Sequence, residues 1–201
     1  MKFTPVIFSC PQKKEGEIEF VKLLFDNGLS YFHLRRPYAD KEEMISFLEQ
    51  FPSEQLSKIV LHSHHALAER FHTKIHLTER DKNKADEYTR IHSIAMHNLD
   101  EIKTSSLRAR YFFLSPVFDS YSKPNLKSGF SRQILSDFFA QYSANVPVFA
   151  LGGIDASKIQ TLKEIGFQGA GMIGYIWNAF FRQGKAKALS NFLTLQKICN
   201  Q

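Results

Sequence analysis

Residues 146–155, Val-Pro-Val-Phe-Ala-Leu-Gly-Gly-Ile-Asp, decide the fold of this 201-residue chain. The first six are apolar throughout, which is typical of a strand buried on both faces, as in a parallel sheet. Two glycines end the strand. Asp155 then precedes an amphipathic helical pattern, where its carboxylate can cap the first turn. The stretch therefore predicts one β-strand followed directly by one α-helix.

The same strand–helix unit recurs along the whole chain. Apolar runs predict eight strands, at 3–8, 30–34, 57–61, 74–77, 90–95, 111–115, 146–151 and 169–173. Amphipathic stretches predict eight helices, at 15–27, 40–50, 65–71, 83–88, 98–105, 131–142, 155–165 and 183–198. Strands separated by helices form a parallel sheet, and eight such units favour a closed (β/α)8 TIM barrel. We expect a single domain over residues 1–201, with an open doubly wound sheet as the alternative.

Composition narrows the classes of function. Hydrophobic residues make up 43% of the chain, but no run reaches the ~18 apolar residues that a membrane span needs. The N-terminus lacks the apolar region of a signal peptide, and Cys10 and Cys199 have no metal or redox spacing, so we expect reduced thiols and a cytoplasmic protein. The net charge is +6, yet Lys and Arg are interleaved with acids. This pattern favours small anionic ligands and predicts no nucleic-acid or membrane partner.

In such a barrel, functional residues lie where strands end and loops begin. The second strand ends in residues 33–36, His-Leu-Arg-Arg, and guanidinium groups there can clamp a phosphate or diphosphate. Side-chain alternation puts His33 and Arg35 on one face, so Arg35 is expected to point into the barrel mouth and His33 to contact the substrate. His62 begins the run 62–65, His-Ser-His-His. Adjacent residues on a strand point apart, so we expect His62 to be a neutral polar contact rather than a zinc ligand.

The fourth and fifth predicted strands are followed by titratable groups. Glu79 and Asp81 could supply oxygen ligands to Mg²⁺, although acids in the first turn of a helix are an equally good interpretation. His97 directly precedes the predicted helix cap Asn98. It is a candidate acid or base, with an ordinary loop histidine as the alternative.

The sixth predicted strand is followed by a polar loop without periodicity, residues 119–129. Loops of this length in a compact domain are commonly binding loops. Ser120, Ser122 and Lys123 are spaced so that two hydroxyls and an ammonium group can reach one anion together. The loop is therefore a predicted anion-binding segment.

Glycines follow the seventh and eighth predicted strands, at Gly152, Gly153 and Gly174. The absence of a side chain lets backbone N–H groups approach a phosphate, and a helix N-terminus adds favourable charge. Barrels of this class commonly bind phosphate after strands 7 and 8. These glycines are therefore predicted to bind a phosphorylated substrate.

Two of these segments are similar to motifs of the thiamine phosphate synthase family. Residues 115–123, Ser-Pro-Val-Phe-Asp-Ser-Tyr-Ser-Lys, resemble its Gly-Pro-x-x-x-Thr-x-Thr-Lys loop. Residues 150–154, Ala-Leu-Gly-Gly-Ile, resemble its Ala-Ile-Gly-Gly-Ile turn, and residues 34–36, 75–77 and 97–101 match in order. Members are (β/α)8 barrels that join a hydroxymethylpyrimidine diphosphate to a thiazole phosphate and release pyrophosphate with the help of Mg²⁺.

The resemblance implies a role for each matching residue. Arg35 and Lys123 would hold the diphosphate, and Asp81 would bind Mg²⁺. The residues expected to contact the thiazole phosphate are Ser120, Ser122, Gly153 and Gly174. The chain departs from the family pattern at residues 62–63, where His-Ser replaces Asn-Asp, so Glu79 is the candidate for the missing metal ligand.

Two other functions stay open. The thiazole tautomerase, a relative on the same fold, works without metal and would use His97 for proton transfer. The third function is a non-catalytic binder of phosphorylated thiamine precursors. Small phosphorylated molecules are the predicted partners in all three, and a homodimer stays open as the assembly.

Overall fold

The protein is a closed barrel of eight parallel strands, each hydrogen-bonded to its neighbours in chain order, with β8 pairing back onto β1. The computed structural model describes residues 2–88, 91–119, 129–143 and 146–201. The strands are β1 Thr4–Phe8, β2 Phe32–Leu34, β3 Ile59–Leu61, β4 Lys74–Leu77, β5 Ile91–Met96, β6 Tyr111–Leu114, β7 Val148–Leu151 and β8 Gly169–Met172. The predicted (β/α)8 fold is confirmed, and the open sheet is excluded because no strand of this closed ring lies at an edge.

Helices surround the barrel. They are α1 Glu17–Asp26, α2 Lys41–Leu48, α3 Ser53–Leu56, α4 Leu67–Phe71, α5 Leu99–Thr104, α6 Arg132–Gln141, α7 Ile159–Ile165, α8 Gly174–Gln183 and α9 Lys185–Asn200. Two 3₁₀ helices, Glu79–Glu87 and Ala156–Lys158, add to them. Within the described part of the chain, no helix has both the length and the apolar character to cross a membrane.

Three helical elements differ from the sequence prediction. Helices α3 and α8 were not predicted, and the segment predicted as a helix at 83–88 lies in the 3₁₀ helix Glu79–Glu87. Of its nine residues only Ala85 is buried. The segment therefore has no apolar face to pack against the barrel, which is the interaction that stabilises most helices in proteins.

Side chains fill the barrel interior, so the fold contains no pore. One buried cluster consists of Val6, Phe8, Tyr111, Phe113 and Phe149. Strand β8 makes room for it, because a Cβ at Gly169 would lie 2.6 Å from the Phe149 ring and a Cβ at Gly171 would lie 2.7 Å from the Phe8 ring. Polar side chains lie beside these rings: His33 stacks on Phe8 with 4.7 Å between ring centroids, and its Nε2 lies 2.7 Å from the Tyr111 hydroxyl.

Candidate functional site

Four neighbouring strands bring the predicted phosphate-binding residues to one rim. Strands β7, β8, β1 and β2 pair in that order, and parallel strands lie about 4.8 Å apart. Their C-terminal ends lead directly into Gly152, Ile173, Ser9 and Arg35. The glycine turn, the start of α8 and the predicted cationic residue therefore share one side of the mouth.

The two adjacent arginines lie in different environments. The Ser9 hydroxyl donates to the carbonyl of Arg35 at 3.1 Å and accepts from its N–H at 2.9 Å, which fixes the backbone there. Arg35 is half-buried, and its positive charge adds to the effects of burial and of neighbouring histidines that lower the pKa values of His62 and His76. Arg36 points outward instead and forms a buried ion pair with Glu17 and, at 2.8 Å, a partly exposed one with Glu43.

The glycine turn after β7 packs against the first residues of the loop after β6. Gly152 and Gly153 have φ values of 103° and 58°, in the region that favours glycine. A Cβ at Gly153 would collide with the carbonyl oxygen of Asp119, and a Cβ at Gly152 would lie 3.1 Å from Pro116. The start of the predicted binding loop is thus held against the turn. The residues of this loop that are predicted to bind an anion, Ser120, Ser122 and Lys123, lie outside the described residues.

Helix α8 begins at Gly174 and directs its N-terminus toward the mouth. Its first intrahelical hydrogen bonds are donated by Ile176 and Trp177 to the carbonyl of Ile173. The N–H groups of Gly174 and Tyr175 precede them and have no acceptor within the helix. The indole of Trp177 donates to the carbonyl of Phe8 at 2.6 Å, which anchors α8 to the end of β1.

The acidic side chains lie across the mouth, after β4. Asp81 is half-buried and accepts a hydrogen bond from the Thr78 hydroxyl at 2.5 Å. The side chain of Glu79 is 61% exposed and pairs with Lys82 at 2.7 Å, and Lys82 also pairs with Glu101. Asp81 therefore has the sheltered position expected of a metal ligand, whereas Glu79 is neutralised by an ammonium group.

His97 lies at the mouth after β5. Its Nδ1–H donates to the carbonyl of Ser115 at 3.1 Å, and its Nε2 lies 3.8 Å from a Glu79 oxygen. The hydrogen bond to Ser115 places the proton on Nδ1, so Nε2 carries the lone pair of the neutral ring. Half of the side chain is exposed, and this nitrogen can take up a proton from a bound molecule.

Three histidines form a polar layer in the barrel interior. His33 Nδ1 lies 2.9 Å from His62 Nε2, and the His62 and His76 rings stack at 4.0 Å between centroids. Two further contacts hold the outer sides of the rings: His33 Nε2 lies 2.7 Å from the Tyr111 hydroxyl, and His76 Nδ1 lies 2.8 Å from the Ser93 hydroxyl. We refer to His33, His62 and His76 as the histidine cluster.

Burial sets the protonation state of the histidine cluster. Desolvation is the largest cause: it lowers the pKa of His76 to about 3 and holds the pKa values of His33 and His62 well below their usual range, with smaller effects from neighbouring histidines and, at His62 and His76, from Arg35. All three rings are therefore neutral near pH 7. Both ring nitrogens of His33 contact protein groups, so its predicted contact with substrate would require one of these bonds to break.

His76 was not among the predicted site residues. It belongs to the layer because β4 follows β3 around the barrel and because His76 alternates inward, as Ser93 does on β5 opposite it. Strand alternation was the signal that could have placed it there. Tyr111 and Ser93 could not be found by that signal, because apolar and hydroxyl residues at inward positions are ordinary in barrel cores.

Comparison with known proteins agrees with this geometry. The family model described as "Thiamine monophosphate synthase" matches residues 6–176. A thiamine-phosphate synthase from Prochlorococcus marinus is 30% identical over 113 residues, which are 52% of this chain and 31% of that protein. One from Haemophilus influenzae is 34% identical over 101 residues, 47% of this chain and 42% of that protein. These alignments span less than half the length of either relative.

Solved structures extend the similarity over nearly all of the chain. A thiamine phosphate pyrophosphorylase from Bacteroides thetaiotaomicron superposes with a TM-score of 0.81 at 28% identity, covering 98% of this chain and 96% of that one. One from Pyrococcus furiosus superposes with a TM-score of 0.74 and the same coverage, and at 16% identity it supports the fold alone. Because the family model covers most of the chain and the barrel places the family's glycine turn at the mouth, the chain belongs to the thiamine monophosphate synthase family.

Proposed function

We propose that the protein is a thiamine phosphate synthase, a transferase that joins hydroxymethylpyrimidine diphosphate to a thiazole phosphate and releases pyrophosphate. The observation that carries the proposal is the shared rim of Arg35, the Gly152–Gly153 turn and the N-terminus of α8, in a chain of this family. A cationic side chain and two sets of backbone donors are what a substrate pair with a diphosphate and a monophosphate requires.

Arg35 would stabilise the departing pyrophosphate. Loss of a diphosphate from the benzylic-type carbon of the pyrimidine leaves negative charge on the leaving group and positive charge on the ring. A fixed guanidinium lowers the free energy of that charge separation, and the two Ser9 hydrogen bonds fix the backbone from which Arg35 extends. Lys123 would add a second cation from the loop after β6. The thiazole nitrogen then attacks the pyrimidine carbon, so no protein nucleophile is needed.

The residues after β4 fit a Mg²⁺ ion, as the family resemblance implies. Mg²⁺ is usually held by one or two carboxylates together with substrate phosphates, and the sheltered carboxylate of Asp81 is one such ligand. The hydroxyl of Ser63, which stands where the family resemblance places an aspartate, is buried without a hydrogen-bond partner among the described residues. The ion would neutralise charge on the diphosphate. Glu79 is the weaker ligand, because Lys82 pairs with it.

The thiazole phosphate would lie against the glycine turn. Backbone N–H groups at Gly152, Gly153 and Gly174 can approach a phosphate closely because no Cβ intervenes, and Ser120 and Ser122 would add hydroxyl donors. His62 would complete the floor of the pocket as a neutral contact. His97 would act as a base toward a bound substrate, which is also the role expected of it in a tautomerase. Localisation in the cytoplasm and assembly as a homodimer remain predictions from the sequence.

Turnover with both phosphorylated precursors tests the proposal. Purified protein with Mg²⁺ is expected to form thiamine phosphate and pyrophosphate, and chelation of the metal is expected to stop it. Metal-independent isomerisation of a thiazole carboxylate phosphate would instead identify a tautomerase. Binding of the precursors without either reaction would identify a non-catalytic binder.

The variant Arg35→Ala separates catalysis from folding. It is expected to lower kcat/KM for coupling by at least about 100-fold, as the loss of a fixed charge-stabilising donor does in other enzymes, with little change in the free energy of unfolding. Arg35→Lys is the matched control. It keeps the positive charge but loses the forked N–H donors of the guanidinium, and so should retain part of the activity. If the Arg35→Ala variant had the kcat/KM of the wild-type protein, Arg35 would not be part of the site.

A further inference from the structure

We infer that the histidine cluster is a binding site for a first-row divalent transition-metal ion such as Zn²⁺ or Co²⁺, distinct from the magnesium position after β4. One ring nitrogen from each of His33, His62 and His76 lies within 4.8 Å of the other two. Three histidines with a fourth position left open form a well-known set of ligands for such ions. The inference does not depend on the proposed function, because it concerns binding of the metal alone.

The distances require only a small adjustment. A metal–nitrogen bond of about 2.0–2.1 Å in a tetrahedral site places ligand nitrogens about 3.3 Å apart. His33 Nδ1 and His62 Nε2 are 2.9 Å apart and share a proton in the metal-free protein. A cation would lie between these two nitrogens, the ring that carries the proton there would hold it on its other nitrogen instead, and the third nitrogen would move inward. Because Ser93 contacts Nδ1 of His76, we assign Nε2 as the ligand atom of that ring.

The surroundings hold the rings as metal-binding histidines are usually held. Such histidines direct their other nitrogen to an oxygen of the protein, which fixes the tautomer and the ring orientation. Tyr111 has this role for His33, and Ser93 has it for His76. The rings are also neutral near pH 7, so no imidazolium has to lose its proton before the metal binds.

The donor set decides which ions would bind. Imidazole nitrogen suits Zn²⁺, Co²⁺, Ni²⁺ and Cu²⁺, whereas Mg²⁺ requires oxygen. The cluster contains no carboxylate, and Arg35 lies close enough to disfavour a positive charge there. The charge of the ion would therefore have to be balanced by an anion as its fourth ligand, such as hydroxide.

The test is metal titration of the full-length protein without a polyhistidine tag, after treatment with a chelator. Co²⁺ is expected to bind in one equivalent with the visible absorption of a four-coordinate site, and Zn²⁺ in excess should displace it while Mg²⁺ should not. His62→Gln and His76→Gln should each abolish the Co²⁺ spectrum. His92→Gln, a change at a buried histidine outside the cluster, should retain it. Tyr111→Phe should keep the stoichiometry and weaken affinity by about 10–100-fold.

Two results would overturn the inference. One is the absence of stoichiometric Co²⁺ uptake by the wild-type protein, and the other is uptake that survives both glutamine variants. If those variants do not fold, anomalous diffraction from Co²⁺-soaked wild-type crystals decides instead. A peak between His33, His62 and His76 supports the site, and a peak only at exposed histidines excludes it.

Discussion

Arg36 illustrates at the scale of one residue how much a buried charge depends on its partners. The Arg36 guanidinium and the Glu17 carboxylate are both about 1% exposed. The second partner of Arg36 is Glu43, which lies in the first turn of α2. Removing one member of a buried ion pair leaves an uncompensated charge in a medium that solvates it poorly. The residue therefore stabilises the fold, whereas its neighbour Arg35 faces the mouth.

We expect Arg36→Met to lower the free energy of unfolding by roughly 3–5 kcal/mol at pH 7, measured by urea denaturation. Burial already raises the pKa of Glu17, an effect that Arg36 opposes. In the variant the carboxyl can become neutral as the pH falls, so the loss should be smaller at pH 5. The double variant Arg36→Met/Glu17→Gln should recover part of the loss. A single variant as stable as wild type would contradict the buried pair.

His92 gives a prediction about acid stability. It is 7% exposed, and burial, with help from Lys74 and Arg110, lowers its pKa to about 3. Below pH 6.5 the unfolded chain takes up a proton at this ring and the folded protein does not, so stability falls from pH 6.5 down to about pH 3. At pH 5 this contribution is roughly 2 kcal/mol. His92→Phe should flatten the pH dependence of the unfolding free energy by about that amount. An unchanged slope would show that His92 is solvated.

At the scale of elements, the turn after β7 and the start of the loop after β6 form one unit. Gly153→Ala would place a Cβ against the Asp119 carbonyl in a backbone conformation with φ 58°. The variant is expected to lose about 1–3 kcal/mol of stability and, by displacing the phosphate donors, on the order of 100-fold in kcat/KM.

Gly184→Ala is the matched control for that experiment. Gly184 also has a positive φ, 89°, but a Cβ there meets nothing within 4 Å. The control should therefore show the cost of backbone strain without any kinetic effect. Equal kinetics in the two variants would show that the contact with Asp119 does not position the phosphate site.

Helix α8 shows where prediction from helix caps and helix propensities stops. It begins with glycine, has no side-chain cap, and contains Tyr175, Trp177 and two phenylalanines, which are mediocre helix formers. It forms because Ile176, Trp177 and Ala179 are buried. These apolar residues recur at helical spacing, so the periodicity of the segment indicates a helix even though its ends and its helix propensities do not. In contrast, Asp40, Asn98 and Ser131 cap their helices with side-chain hydrogen bonds, and the helices that follow them were predicted.

The whole barrel was predictable because its signal repeats. Each strand is a short apolar run, and eight such runs alternate with helices. The number of runs suggests a closed barrel even if the bounds of one run are misjudged. The histidine cluster gives no such repeated signal, since its members come from β2, the end of β3 and β4 and meet only when these neighbouring strands pair. In the sequence, the histidines that suggest zinc are those of the consecutive run 62–65, whereas the partners of His62 in the cluster lie 29 and 14 positions away along the chain.

Ligand-dependent stability tests the mouth as a property of the entire fold. A ligand that binds only the folded protein raises the free energy of unfolding by about 2.7 kcal/mol at 100 times its Kd. For a domain of this size that corresponds to a rise in Tm of about 5–10 °C. Pyrophosphate with Mg²⁺ should therefore raise Tm in a thermal scan, and pyrophosphate alone should raise it less. Because Arg35 and Asp81 would hold the two components from opposite sides of the mouth, Arg35→Ala should reduce both shifts, whereas Asp81→Asn should remove only the part that depends on Mg²⁺. Equal shifts in all three proteins would place pyrophosphate somewhere other than this rim.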